Sequence, residues 1–165
     1  MKTSEEYRAL SKERLSTAKH ILDITYPALG SARLFLSALE HLFLSMDYAM
    51  NAILFDERNR EMAGEFPKTF SGRYSAFRLR VADKLGFGME EVQTLLTLRN
   101  ILLTHQKSTM EFEREGKFII CTNDYEMTIL SSDALNAHAL AAGAFIGQTE
   151  KVLGKPLSIR GTPTP

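Results

Sequence analysis

Residues 34–55 constrain this chain more than any other stretch. Leu34, Leu39, Leu42, Phe43, Met46, Met50 and Ile53 recur so that, wound as a helix, they cover most of its circumference. The stretch has nearly the length of a membrane span, but Glu40, His41 and Asp47 interrupt it, and ionisable groups in hydrocarbon are costly. The reading is therefore a buried central helix over residues 31–62, either surrounded by other helices or partly facing a second subunit. Its end, residues 56–61, is highly charged and expected to be solvated.

Four further helices are expected around it. The first covers 4–26, with Thr3 and Glu6 at capping-box spacing and Pro27 and Gly30 as its stop. A loop over 63–72 leads to a short basic helix over 73–85, ended by Gly86 and Gly88. The fourth starts at Met89 or Glu90 and runs to about His105, again apolar over most of its surface. Residues 110–130 then alternate (Phe112 against Glu113, then Phe118 to Ile120, then Tyr125, Met127 and Ile129) with turn residues at Glu115-Gly116 and Asn123-Asp124. Alternation bounded by turns predicts two or three short antiparallel strands. Ser131 to Asp133 offers an N-cap for a last helix, rich in alanine and glycine, ending near Leu153. The expected fold is thus mostly α: an up-and-down bundle of about five helices with a β-hairpin or three-stranded insert before the last helix. It forms one domain over 1–153, followed by a flexible tail over 154–165.

Lys plus Arg and Asp plus Glu number 20 each, so the net charge is zero. That argues against binding driven by a global excess of one sign, whether to nucleic acid or to a membrane surface. Cys121 is the single cysteine, which forbids an intramolecular disulfide and fits a reducing compartment. Residues 1–8 are polar and charged, without the apolar stretch of a secretory signal. A cytoplasmic location, away from membranes, is the expectation.

The histidines, His20, His41, His105 and His138, lie too far apart in sequence for a local metal site, and there is no cysteine pair. No phosphate-cradling glycine loop occurs; Gly86-Phe87-Gly88 reads as a helix stop. No metal and no cofactor are expected. Residues 66–84 are locally basic, with Lys68, Arg73, Arg78, Arg80 and Lys84 against Asp83 alone, and Tyr74 and Phe77 interleaved. Cations with aromatic faces suit single-stranded nucleic acid, so Arg73, Arg78 and Arg80 are candidate binding residues. The same pattern also describes an ordinary surface helix with Phe77 and Val81 inward and Arg78 and Arg80 solvated.

The segment Arg99-Asn100-Ile101-Leu102-Leu103-Thr104-His105 puts an arginine and a histidine near the end of an apolar helix, where burial costs them unless they have partners or reach a cleft. A histidine can carry a proton near neutrality, and an arginine can stabilise charge growing on phosphorus oxygens. Both also read as cations favoured by the helix C-terminus, with His105 as a cap. Six residues apart on an ideal helix, the two side chains lie about 120° apart. Arg14 and His20 share the spacing, but on the first helix and without a following Asn.

An arginine, a polar residue that is often Asn, then a histidine late in a helical bundle resembles the HEPN domains (higher eukaryote and prokaryote nucleotide-binding). Arg99, Asn100 and His105 match that motif, and the long second helix with Asp47-Tyr48-Ala49-Met50-Asn51 is loosely similar to the family's own. The resemblance spans 4–153 in layout, with 99–105 as its specific part. It implies a symmetric homodimer whose motif-bearing helices line a shared cleft. It also implies metal-independent RNA cleavage by Arg99, Asn100 and His105, Asp47 as a further binding residue, and an antitoxin protein as partner in a toxin–antitoxin or phage-defence system. For family members without activity, it implies a module that binds a nucleotide or a protein.

Overall fold

A computed structural model describes residues 2–154. The expected tail therefore lies, apart from Gly154, outside the described residues.

Helix α1 (Ser4–His20) starts where the sequence says it should. The Thr3 hydroxyl accepts from the Glu6 amide at 3.1 Å while the Glu6 carboxylate accepts from the Thr3 amide at 3.0 Å, which satisfies two free donors of the first turn. Thr3→Ala is expected to cost about 1 kcal/mol of stability, read from chemical denaturation. The helix does not stop before Pro27. It widens into a π-turn over Ile21–Thr25 and continues as α2 (Tyr26–Leu29). Pro27 falls in the first turn of α2, directly after the π-turn. Gly30, at φ +69°, ends it.

Helix α3 (Leu34–Leu54) is the axis of the fold. Phe35, Leu39, Leu42, Met46, Met50 and Ile53 are fully buried, because α1 and the later helices Phe70–Ala76, Met89–Lys107 and Ser132–Leu153 all pack on it. Its all-round apolar surface is thus consumed within one chain. The helix expected to reach residue 62 breaks at Phe55. There Asp56 takes an extended conformation and its carboxylate caps a short 3-10 turn (Glu57–Asn59), which leads into α4 (Arg60–Ala63).

Helix α5 (Phe70–Ala76) begins three residues earlier than expected, capped by Thr69, and passes through a π-turn (Phe77–Val81). Gly72 sits inside the helix rather than in the loop. A Cβ there would lie 2.5 Å from the Pro67 carbonyl oxygen, so only glycine lets the incoming loop approach this closely. Helix α6 (Met89–Lys107) follows. Strands β1 (Met110–Arg114), β2 (Lys117–Cys121) and β3 (Met127–Leu130) form an antiparallel sheet in that order, with Glu111 opposite Ile120 and Phe118 opposite Leu130. Helix α7 (Ser132–Leu153), capped by the Ser131 hydroxyl, returns across α3. Phe145 of α7 packs with Phe77 and Phe87, ring centroids 5.0 to 5.6 Å apart, and closes the core.

The sheet has two unlike faces. Phe118, Ile120 and Leu130 point inward and are buried. On the same face of β1 stand Glu111 and Glu113, so the edge strand meets the bundle through carboxylates. Glu113 accepts from the Ser31 hydroxyl at 2.7 Å and the Arg33 amide at 2.8 Å.

Candidate functional site

Helix α6 buries Val92, Leu95 and Leu98 against the core. Arg99 and His105 flank that buried stripe on opposite sides, as a 120° separation demands. Arg99 leans toward α5, its guanidinium 4.8 Å from the centre of the Phe70 ring. It is half-buried, and Asn100 beside it is exposed. With Ser71, Tyr74, Ser75 and Leu103 they line a hollow of about 280 Å³ between α5 and α6. The hollow offers a cation, an amide and two hydroxyls above an aromatic floor.

His105 faces the sheet instead. Its Nδ1 contacts the Glu111 carboxylate from the inner face of β1. The Ser108 hydroxyl lies 2.6 Å from the same carboxylate oxygen and 2.9 Å from the His105 carbonyl, so it holds the turn between helix and strand. With Nδ1 donating to Glu111, Nε2 is the nitrogen left to exchange a proton, and among the described residues nothing bonds to it. A histidine with a carboxylate on its inner nitrogen is oriented for acid–base work. Glu111 escaped the sequence reading. Alternation over 110–114 sets Glu111 and Glu113 on one face, but it is the pairing with Ile120 that turns Glu111 inward, four residues beyond the helix that carries His105.

The other candidates are placed apart from this pair. The Arg73 guanidinium donates to Asp47 and to the Asn51 side chain, both at 2.6 Å, and to the Lys68 carbonyl at 3.1 Å; both charged side chains are largely buried. Arg80 donates to the carbonyls of Ala63 and Glu65, each at 2.8 Å. Arg78 alone of the three stands exposed without a bonding partner among the described residues. No group of three His, Cys, Asp or Glu residues able to hold a metal ion occurs among the described residues, and no helix there is long and apolar enough to cross a membrane.

Arg14 pairs not with His20 but with His41, Nη1 to Nδ1 at 3.3 Å. Burial first, and the Arg14 charge second, hold His41 below the usual histidine value, so its Nδ1 accepts as a neutral ring. Burial does the same to His138. A histidine whose folded value is depressed binds its proton first in the unfolded chain. Stability is therefore expected to be full above about pH 6.5 and to fall as pH drops below that, levelling off once the folded-state value is passed. The midpoint of thermal unfolding should be lower at pH 5.5 than at pH 7.5, and His138→Gln should reduce the difference.

No family model matches the chain, and no curated protein or solved structure matches it.

Proposed function

We propose that this chain is a metal-independent endoribonuclease of HEPN type, working in the cytoplasm as a homodimer. The observation that carries this reading is the His105–Glu111 pair with Nε2 left available. The resemblance of Arg99, Asn100 and His105 to the HEPN motif adds to it. In this mechanism His105 removes the proton of an RNA 2′-hydroxyl or returns one to the leaving group. The 2′-oxygen attacks the adjacent phosphorus, the bond to the 5′-oxygen breaks, and that oxygen departs with a proton. Arg99 balances the charge growing on the non-bridging oxygens, and Asn100 positions the phosphate. The products are a 2′,3′-cyclic phosphate and a 5′-hydroxyl. DNA, lacking the 2′-hydroxyl, is not cut.

Arg99 and His105 point away from each other within one chain, so the reaction needs Arg99 of one copy beside His105 of another. A toxin held by an antitoxin protein is the biological setting this activity fits. The test is cleavage of a mixed single-stranded RNA in EDTA by wild type and His105→Ala side by side. Cyclic ends from wild type alone support the reading; no cleavage, or equal cleavage, removes it.

A second reading has one observation in its favour. The hollow of Arg99 and Asn100, with two serine hydroxyls, is built without His105. A non-catalytic module that binds a nucleotide or a protein partner there leaves RNA intact, and its binding is insensitive to His105→Ala.

A further inference from the structure

The outward face of the sheet is apolar on all three strands. Alternation and register stack it in rows. Phe112, Ile119 and Ile129 form one row, and Met110, Cys121 and Met127 form the next. Met110, Met127 and Ile129 are 60%, 58% and 48% exposed, and Tyr125, in the β2–β3 turn at one end of the face, is 94% exposed, while Ile119 between Phe112 and Ile129 is 7% exposed, so the open surface lies along the Met110 row and Ile129. Large apolar side chains gathered on one surface, rather than scattered singly, mark a surface that something covers.

Charge indicates what covers it. Beyond the Phe112 row, at the β1–β2 turn, stand Arg114 and Lys117 with Glu115 between them, so that end carries a net charge of +1. Beyond the Met110 row, at the β2–β3 turn, stand Asp124 and Glu126 on either side of Tyr125. All five are exposed, and none has an ion-pair partner among the described residues. The face therefore reads basic, apolar, apolar, acidic along the strands. A pattern of this kind is complementary to itself when reversed.

We infer that the outer sheet face takes a second copy of this chain, packed face to face about a two-fold axis that lies across the strands. That axis reverses strand direction. It sets the Phe112 row of one copy over the Met110 row of the other and brings each basic turn to an acidic one. The interface is isologous and closed. Three strands about 4.8 Å apart and five residues of about 3.3 Å each give a face of about 14 by 17 Å. That is well below the ~800 Å² per partner of a standard interface, so the association is weak and concentration-dependent. It uses none of the residues assigned to RNA cleavage and adds to whatever assembly helix α6 supports.

Sedimentation equilibrium of the full chain tests it, at concentrations rising to about 500 μM, so that a weak association is within reach. Wild type is expected to reach at least twice the mass of Ile129→Lys. The change is from two chains to one if α6 does not pair copies, and from four chains or more to two if it does, so the outcome does not depend on the ribonuclease reading. A second pair of variants guards against a misfolded Ile129→Lys. Arg114→Glu with Lys117→Glu makes both ends acidic, and Asp124→Lys with Glu126→Lys makes both ends basic. Each alone is expected to stay at the lower mass, and an equal mixture to recover the doubled mass. Equal masses for wild type and Ile129→Lys at every concentration, or a mixture no heavier than its components, overturns the proposal.

Discussion

His105→Ala is expected to lower RNA cleavage by about 10³-fold, within the range general acid–base catalysis supplies. The loss should appear in kcat, because a proton-transfer group acts in the transition state more than in binding. Fold stability should change by only about 1 kcal/mol, since the side chain is half-buried and Glu111 keeps its contact with Ser108. Glu111→Gln separates positioning from catalysis. The amide preserves shape but removes the charge that orients Nδ1, so kcat should fall by about 10-fold while the thermal midpoint moves little. A Glu111→Gln enzyme as fast as wild type would mean that the pair merely pins the sheet to the bundle. Steady-state kinetics beside a thermal melt distinguishes these outcomes.

Arg73→Ala is expected to destabilise the domain by about 3 kcal/mol, the cost of leaving a buried charge without its partner. Asp47 and Arg73 are 14% and 13% exposed, their atoms are 2.6 Å apart, and Asn51 completes the arrangement. Removing the guanidinium leaves the largely buried Asp47 carboxylate without its ion-pair partner. Arg73→Ala with Asp47→Leu should recover part of the loss, since both charges are then gone. Arg78→Ala, on the exposed side of the same segment, should change stability by less than about 0.5 kcal/mol. Urea denaturation of the variants decides the matter. Near-equal midpoints for Arg73→Ala and wild type would show that the pair is no keystone and that Arg73 is free to meet a ligand.

Local signals carried much of the architecture. Thr3 with Glu6, and Ser131, cap the helices their positions announce, because the bonds that make a cap join residues three apart. The strands follow alternation, and their turns fall at Glu115-Gly116 and beyond Asn123, where backbone φ turns positive at Glu115, Gly116 and Tyr125. The central place of α3 was legible as an all-round apolar helix. That other helices surround it within one chain was one of two readings the pattern allowed, and only tertiary packing decides between them. Gly72 misled for a physical reason: glycine usually marks a break, but here it permits a close approach of Pro67 to an intact helix turn. Arg73 was legible as a cation and not as a bound one, since Asp47 lies on another helix. In the candidate site, the angle between Arg99 and His105 follows from helix geometry alone. Glu111 depends on strand register and on where the sheet docks, which no local pattern specifies.

A cleft assembled from Arg99 of one copy and His105 of its partner can be tested by complementation. Arg99→Ala and His105→Ala are purified separately, then mixed in equal amounts under conditions that exchange subunits, and RNA cleavage is followed in EDTA. Each variant alone should be inactive in both of its sites. In the mixture half the dimers are mixed, and each of these holds one site with both side chains intact, so cleavage should return to about one quarter of the wild-type rate. A mixture no more active than the two variants assayed alone, beside a wild type that cuts, would contradict the shared cleft.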